Sequence, residues 1–234
     1  MCGRFDFHGV GSDVREICAL LAPQAEPPTE LAAPSNYNTA PTQVANVWAQ
    51  GALRAMRFGW RRRDGGLLIN ARQDSLCRGM HAAALQGRRA LVLANGFYEW
   101  HGKGAAKTPY YFKLTSGRPL CLAALWQREA GDAPEGGGFV IVTTEPNEVV
   151  APIHNRMPVI FELPKPAAGA SQDRSKLLDP AFEPALQWVA EGTAPTALTD
   201  LLRPLPAAHL TCFALTAYVS SARNRGPQCL EPRR

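Results

Sequence analysis

The first five residues of the chain, MCGRF, carry the most distinctive candidate chemistry. Aminopeptidases remove a methionine that precedes a small residue, so we expect Cys2 to become the N-terminal residue. It would then present an α-amine with a pKa of about 7.7–8.0 beside a thiol with a pKa of about 8.5, both partly nucleophilic near neutral pH. The amine condenses with an aldehyde to an imine, which the thiol can close to a thiazolidine ring. Gly3 would let the backbone bend closely around a ligand. The alternative is that Cys2 is an ordinary second residue.

Three further segments concentrate reactive or polar residues, namely INAR at 69–72, NGFYEW at 95–100 and PIHNRMP at 152–158. Glu99 is either a buried carboxylate with a raised pKa, suited to proton transfer, or a solvent-facing residue of an alternating strand. His154 is either a proton shuttle or a structural histidine. Asn70 offers a donor and an acceptor to a sugar hydroxyl or a carbonyl. Arg72 and Arg156 each follow one of these residues by two positions, and their guanidinium groups suit phosphate.

Composition permits an anionic partner and excludes several other classes. The net charge is +5, and 20 of the 25 basic residues are arginine, which binds phosphate in a bidentate manner. A GC-rich genome would produce the same arginine bias. No stretch approaches the roughly 18 apolar residues of a membrane span, and MCGRFDFHGV lacks the apolar centre of a signal peptide. We therefore expect a cytoplasmic protein without a membrane segment.

The six cysteines do not form a C-x-x-C pair, so the pattern indicates neither a zinc ribbon nor a thioredoxin-type site. We accordingly expect no metal, no cofactor and no disulfide. Cys18, Cys77, Cys121 and Cys212 stand among apolar neighbours and are predicted to fill the core.

The predicted elements indicate an α+β chain with substantial sheet content. A helix is expected over 13–22 with Ser12 as its N-cap, another over 73–86, and a third beginning at Asp179 and Pro180. Phe182, Leu186 and Val189 would form the buried face of the third helix. β-branched or aromatic runs bounded by Gly and Pro predict strands at 44–48, 89–94, 110–114, 120–125, 139–144, 158–161 and 210–216.

Residues 129–138 and 164–176 are rich in Gly, Pro, Ala and charged residues, and we expect mobile surface loops there. Neither stretch separates regions of different composition. The prediction is one domain over 1–234, ending in a C-terminal tail at 226–234.

Six blocks then stand in order along the chain: MCGRF, YNTAPTQ (37–43), INAR, GFYEW, TTEPN (143–147) and IHNRMPVI (153–160). They resemble the signature blocks of the SOS-response-associated peptidase family, whose members are abasic-site processing proteins. RNRGPQC at 223–229 resembles the family's C-terminal block. The resemblance implies a single α+β domain with a barrel-like β core, short flanking helices and a basic groove.

The resemblance also implies a function, which is to bind single-stranded DNA and to form a covalent crosslink with the ring-opened aldehyde of an abasic site. Cys2 resembles the family's nucleophile, and Asn70 the residue that positions the sugar. Glu99 resembles the acid/base group of imine formation and reversal. His154 resembles the residue that helps to open the deoxyribose ring. No metal or membrane partner is implied, and a monomer is the default expectation.

The expected DNA-binding residues fall into three groups. The phosphate-binding set comprises Arg4, Arg72 and Arg156. The aromatic residues expected to stack bases are Trp60, Tyr98 and Trp100. Two residues of the YNTAPTQ block, Asn38 and Pro41, complete the set.

The chain departs from the family pattern at four places. FGWRRRDGG at 58–66 replaces a WGLIP-like segment, with Trp60 as a possible substitute for a base-stacking residue. Asn95 replaces the usual acidic residue before GFYEW, Asn155 stands in the HDRMP-like block, and Asp74 replaces a glutamate after INAR. We expect these changes to affect hydrogen bonds to Glu99, His154 or Arg72 rather than to remove a reacting group.

Two other hypotheses remain. In the first, the Cys2 thiolate attacks an amide, as in a peptidase with an N-terminal nucleophile, with its own amine or His154 as the base. In the second, aromatic and arginine side chains bind single strands without covalent chemistry, independently of any lesion and with a strong dependence on salt.

Overall fold

The computed structural model describes residues 2–8, 11–22, 24–26, 28, 30–62, 64–104, 107–128, 137–163 and 182–234 of the chain. The predicted loop at 164–176 lies outside these residues, and of 129–138 only the last two are described. Gly138 already belongs to a strand. The mobility of both loops stays a prediction.

Short apolar runs form the strands. One sheet comprises β1 (Phe5–Phe7), β2 (Asn36–Thr39), β9 (Gly96–His101), β10 (Thr108–Leu114) and β15 (Leu210–Ala214). A second sheet comprises β3 (Val44–Ala49), β4 (Ala52–Phe58), β7 (Asn70–Arg72), β8 (Arg89–Ala94), β11 (Leu120–Gln127), β12 (Gly138–Thr144), β13 (Met157–Pro158) and β14 (Ile160–Glu162). A small hairpin comprises β5 (Trp60–Arg61) and β6 (Leu67–Leu68). All seven strands expected from the sequence are present, the one at 158–161 as the pair β13 and β14.

Strand pairing closes the second sheet into a barrel. Its strands follow one another as β12, β4, β3, β8 and β11, and β11 pairs again with β12. The first sheet has the order β15–β10–β9–β1–β2, with antiparallel neighbours throughout. The predicted α+β domain with a barrel-like β core is confirmed.

Alternating side chains of the barrel strands face two different apolar clusters. On β8, Val92 faces an inner cluster, whereas Leu91 and Leu93 face an outer cluster beneath the helices. The first sheet adds Phe5 and Phe97 to the inner cluster. The first sheet therefore packs against the barrel, and Cys2 lies in the cluster that the two share.

The helices cover the outer cluster. They are α1 (Gly11–Leu21), α2 (Gly79–Gly87), α3 (Glu183–Val189) and α4 (Pro195–Asp200). Because α1 begins at Gly11, the prediction of Ser12 as its N-cap is wrong. The helix expected over 73–86 is divided into a 3-10 turn at Gln73–Ser75 and α2. None of the helices in the described ranges is long and apolar enough to cross a membrane.

The third predicted helix corresponds to α3. Asp179 and Pro180 lie outside the described residues. Phe182 is buried as expected, but Leu186 and Val189 are only partly buried. Ala185 and Trp188 complete the buried face instead, because the three-residue spacing from Phe182 keeps them over β8.

Arg89 joins two helix ends beneath this layer. Its Nε donates to the carbonyl of Trp188 at 2.5 Å, and its Nη1 donates to those of Leu85 and Gln86 at 2.6 and 2.8 Å. Its Nη2 donates to the carbonyl of Ala190. One cation thus satisfies the last carbonyls of α2 and α3, where the helix dipoles favour positive charge.

The cysteine prediction is confirmed for Cys18 and Cys121, which are buried and unpaired thiols. Cys212 is only partly buried. The prediction for Cys77 is wrong, because this residue is exposed between the 3-10 turn and α2.

The predicted C-terminal tail is attached to the domain. Pro227–Leu230 forms a 3-10 turn that buries Cys229. Pro232 pairs with Leu215, and the amide of Arg233 donates to the carbonyl of Ala214 at 2.9 Å.

Candidate active site

Cys2 lies just before β1, at the point where the two sheets meet. Its side chain is 0% exposed within the inner cluster. The Nδ2 of Asn70 donates to the backbone carbonyl of Cys2 at 2.9 Å. Asn70 begins β7, which runs parallel to β12 and places this residue opposite Ile141. The chain start is therefore held by an amide that a barrel strand orients.

Asn70 also has unused capacity for hydrogen bonding. The residue is 5% exposed, and its Oδ1 accepts no hydrogen bond from any residue that the structure describes. Buried amide oxygens without a donor are uncommon, because the lost hydration is not replaced. The oxygen is thus available to a ligand hydroxyl or amine beside Cys2.

The environment of Cys2 determines the protonation of its thiol in the unprocessed chain. Burial raises the pKa of the Cys2 thiol far above its ordinary value, and the negative charge of Glu99 raises it further. In the unprocessed chain the thiol is therefore protonated at neutral pH, whereas the prediction of a partly ionised thiol concerns the chain without Met1 and stays a prediction. The charge of Glu99 thus acts on the Cys2 thiol.

Glu99 occupies the inward-facing side of β9 and is 4% exposed. Burial raises its pKa from an ordinary 4.5 to about 7. The interpretation of Glu99 as a solvent-facing strand residue is therefore wrong. A carboxyl group that is half protonated near neutral pH can both donate and accept a proton during a reaction.

His154 lies beside Glu99. Its Nδ1 is 3.8 Å from the Glu99 Oε1, which is too far for a hydrogen bond. Burial lowers the pKa of His154, so the imidazole is neutral near pH 7. Its Nδ1 lies 3.2 Å from the amide nitrogen of Arg156 and 3.0 Å from the Arg156 carbonyl oxygen. Either tautomer therefore has a backbone partner, as a residue that exchanges protons needs.

Two arginines meet at Thr143, next to this group. Arg72 on β7 is paired in register with Thr143 on β12. The Nη2 of Arg156 donates to the Thr143 carbonyl at 2.5 Å. Burial lowers the pKa of Arg156, and the like charge of Arg72 lowers it further. Asp74 and Glu145 offset part of this repulsion. Guanidinium groups fit phosphate, so the two arginines are candidates to hold one.

The departures from the family pattern have limited local effects. Asp74 holds Arg72 by two contacts, of 3.1 Å at Nε and 2.6 Å at Nη2, on an exposed surface. Asn95 accepts a hydrogen bond from the backbone of His8 at 2.8 Å. Asn155 is exposed. Of the three, Asp74 alone contacts a predicted site residue within the described ranges.

Three of the predicted DNA contacts are buried. Trp60 lies in the outer cluster, and its Nε1 donates to the Gly138 carbonyl at 3.0 Å. Tyr98 is buried under the C-terminal segment, and its hydroxyl donates to the Tyr37 carbonyl at 2.6 Å. Asn38 is 0% exposed. The expected direct contacts of these residues with bases or phosphates do not fit this arrangement, because their polar atoms already bond within the protein.

The remaining predicted contacts lie at the surface. Trp100 and Pro41 are partly exposed. The guanidinium of Arg4 lies 5.4 Å from the centre of the Trp100 ring. Its Nη1 also donates to Asn38 Oδ1 at 2.6 Å and to the Val219 carbonyl at 3.2 Å. Arg4 is thus fixed by the protein and has fewer N–H groups to offer a phosphate than the sequence pattern implies.

Comparisons with known proteins identify the family of this chain. The profile of the family described as SOS response associated peptidase (SRAP) matches residues 1–222. The chain belongs to the SRAP family. The abasic site processing protein YoqW of Bacillus subtilis is 29% identical to this chain over 246 residues, covering 99% of both proteins. YedK of Escherichia coli, also named an abasic site processing protein, is 27% identical over 99% of this chain and 100% of its own length. A crystal structure of a protein from Bacteroides thetaiotaomicron shares the fold with a TM-score of 0.72, at 16% identity over 99% of this chain and 100% of its own.

Two features of this SRAP chain were not expected from the sequence. Thr143 contacts both Arg72, by strand pairing, and Arg156, by a hydrogen bond. In the sequence, only its place in the TTEPN block marked this residue. Asn38 connects Arg4 to the C-terminal segment rather than to a ligand. Among the residues described in this SRAP protein, no group of three or more His, Cys, Asp or Glu side chains could hold a metal ion.

Proposed function

We propose that this SRAP protein processes abasic sites in single-stranded DNA by covalent capture of the lesion's aldehyde at Cys2. The observation that carries the proposal is the meeting of the Cys2 backbone, bound by Asn70, with a carboxyl group whose pKa is about 7. Relatives that align over nearly their whole length are named abasic site processing proteins, which supports the same activity here.

The first bond forms at the amine. After removal of Met1, the α-amine of Cys2 attacks the aldehyde carbon of the ring-opened deoxyribose. The resulting carbinolamine loses its hydroxyl as water when Glu99, in its protonated form, donates a proton to it. The products are a protonated imine, water and the Glu99 carboxylate.

The second bond forms at sulfur. The raised pKa keeps the Cys2 thiol protonated until the imine is present, so sulfur attack requires a base. Glu99, now ionised, accepts the thiol proton while sulfur adds to the carbon of the protonated imine. The nitrogen keeps its proton, so the products are a neutral thiazolidine and protonated Glu99. Reversal of the crosslink uses the same groups, with each proton transfer in the opposite direction.

The other residues position the sugar. The neutral His154 can pass a proton between the ring oxygen and the anomeric hydroxyl, which opens the deoxyribose to its aldehyde. The Asn70 Oδ1 can accept a hydrogen bond from the sugar or the amine. Arg72 and Arg156, with part of Arg4, hold the flanking phosphates. The predictions of a monomer and of a cytoplasmic location stay predictions.

A crosslinking assay tests the proposal. The purified protein is incubated with a single strand that contains one abasic site and is analysed on a denaturing gel. Wild type should give a heat-stable adduct. Cys2→Ala retains an α-amine, so it should give an adduct only when borohydride reduces the imine. A heat-stable adduct of equal yield from Cys2→Ala would overturn the thiazolidine step.

The peptidase hypothesis requires a thiolate at Cys2, and the raised pKa of the thiol does not favour it. A discriminating observation is the N-terminal residue of Glu99→Ala. Loss of Met1 in this variant supports removal by an external aminopeptidase. Retention of Met1 would instead support autoproteolysis.

A further inference from the structure

The segment 217–225, which we call the C-terminal strap, is fastened by one buried side chain. The Nδ2 of Asn38 donates to three of its carbonyls, those of Val219 at 3.1 Å, Ser221 at 3.0 Å and Asn224 at 2.8 Å. The amide of Tyr37 adds a bond to the Arg225 carbonyl at 3.3 Å. The strap is therefore attached to the domain along most of its length.

The strap also contacts the immediate neighbours of both reacting residues. Arg4, two residues after Cys2, donates to the Val219 carbonyl at 3.2 Å. Trp100, which follows Glu99, donates from Nε1 to Ser220 Oγ at 3.1 Å. Because side chains alternate along a strand, Glu99 faces inward while Trp100, the next residue of β9, faces the strap, and Arg4 reaches the strap although Cys2 is buried. A DNA strand that leaves the site past Arg4 and Trp100 would reach the strap next.

The outer surface of the strap is aromatic and cationic. Tyr218 is 44% exposed, and it is the only large aromatic side chain among the exposed hydrophobic residues in the described ranges. Arg223 and Arg225 are also exposed. Within the described part of the chain, neither guanidinium takes part in a hydrogen bond or an ion pair. An exposed ring beside two unpaired guanidinium groups matches the pattern that binds single strands, in which rings stack on bases and cations hold phosphates.

We infer that the C-terminal strap binds the single-stranded nucleotides that continue from the abasic site. Tyr218 stacks on a base, and Arg223 and Arg225 hold the adjoining phosphates. Asn38 positions the strap and does not itself contact DNA. The inference rests on the proposed function for its choice of ligand, and it assigns a second DNA-binding surface beyond the reacting group.

Binding measurements on strands of increasing length test the inference. A short oligonucleotide with a central abasic site analogue is compared with versions extended by thymidines on the 5′ or the 3′ side, using fluorescence anisotropy at several salt concentrations. Wild type should gain affinity from extension on one side. Tyr218→Ala should lose roughly 5- to 150-fold of affinity for the extended strand. Arg223→Ala and Arg225→Ala should each lower the salt slope of log K by about 0.7.

Matched variants separate the strap from general charge effects. Arg15→Ala removes one exposed charge from α1, which packs on the outer cluster, and should leave the benefit of extension intact. Arg225→Lys keeps the charge and should retain most of the salt slope. Equal length dependence and equal salt slopes in wild type and all strap variants would overturn the inference.

The crosslinking readout keeps this test apart from the proposed function. At saturating concentrations of the short oligonucleotide, strap variants should form the Cys2 adduct at the wild-type rate. Failure of every protein to form an adduct would contradict the proposed function, while the affinity for undamaged extended strands would still decide whether the strap binds DNA.

Discussion

Two buried asparagines, Asn38 and Asn70, lie in neighbouring parts of the molecule and use their amides differently. Asn38 satisfies both ends of its side chain, because Nδ2 donates to three carbonyls and Oδ1 accepts from Arg4. Asn70 donates to the Cys2 carbonyl, but its Oδ1 has no donor among the described residues. A fully satisfied amide stabilises a fold, whereas one with unused capacity beside a reactive group is prepared for a ligand.

A second contrast, in how a buried charge is stabilised, separates Arg89 from Glu99. Arg89 directs its guanidinium to four carbonyls at two helix ends. Glu99 lies in an environment that raises its pKa to about 7, so its ionised form is poorly stabilised at rest. The protein supplies all the hydrogen-bond partners of the structural residue Arg89. The pKa of the proposed catalytic residue Glu99 instead lies close to the pH at which it must exchange protons.

The largest expected effect is on the chemical step at Glu99. Glu99→Gln keeps the shape of the side chain but removes proton transfer, which is worth about 10²- to 10⁴-fold in rate. We expect adduct formation to slow by at least about 100-fold, measured by quenched time points under single-turnover conditions. A rate within threefold of wild type would show that Glu99 is only structural.

The two asparagines should give opposite results when each is replaced by alanine. Asn38→Ala leaves three strap carbonyls without their donor and should lower the free energy of unfolding by about 3 kcal/mol, as measured by urea denaturation. Asn70→Ala removes the bond to the Cys2 carbonyl and a long bond of 3.5 Å to the Ile141 carbonyl, and should cost only about 1 kcal/mol.

The rate of crosslinking should rank the two variants in the opposite order, with the larger loss in Asn70→Ala. Folded Asn38→Ala should retain adduct formation on a short oligonucleotide, whereas Asn70→Ala should lose at least about tenfold of the rate, because the chain start is no longer oriented. Equal losses of stability in the two variants would contradict the distinction between them.

The last prediction concerns stability as a function of pH. The folded pKa of Glu99, about 7, lies above the ordinary value of 4.5. The folded state therefore binds this proton more tightly than the unfolded state does. The resulting stabilisation is complete below about pH 4.5 and is lost as the pH rises through 7. We expect a loss of about 3 kcal/mol across this window in wild type but not in Glu99→Gln, measured by urea denaturation at each pH. An identical pH dependence in both proteins would contradict the raised pKa.

The sequence predicted the runs that form the barrel better than it predicted their neighbours. Val44–Ala49, Arg89–Ala94 and Gly138–Thr144 are rich in branched or aromatic residues and were expected as strands. Ala52–Phe58 was not, because ALRAMRF lacks β-branched residues and owes its conformation to pairing with β3 and β12. Closure of the barrel depends on this strand, so no local pattern could reveal it.

The candidate site shows the same limit. The motif blocks identified Cys2, Asn70, Glu99 and His154, and the structure brings these residues to one place. The blocks did not reveal that Asn38, Trp60 and Tyr98 point into the protein. The direction of a strand side chain depends on which face its partners cover, and this is set by distant segments such as the C-terminal strap.

The most direct test of covalent capture at Cys2 is the intact mass of the adduct, measured before and after borohydride treatment. The proposed chemistry predicts the mass of the protein without Met1 plus that of the DNA strand minus one water, unchanged by borohydride because the thiazolidine has no C=N bond. An adduct that retains Met1, or one that gains two hydrogens on reduction, would contradict a ring closed by the amine and the thiol of Cys2 together.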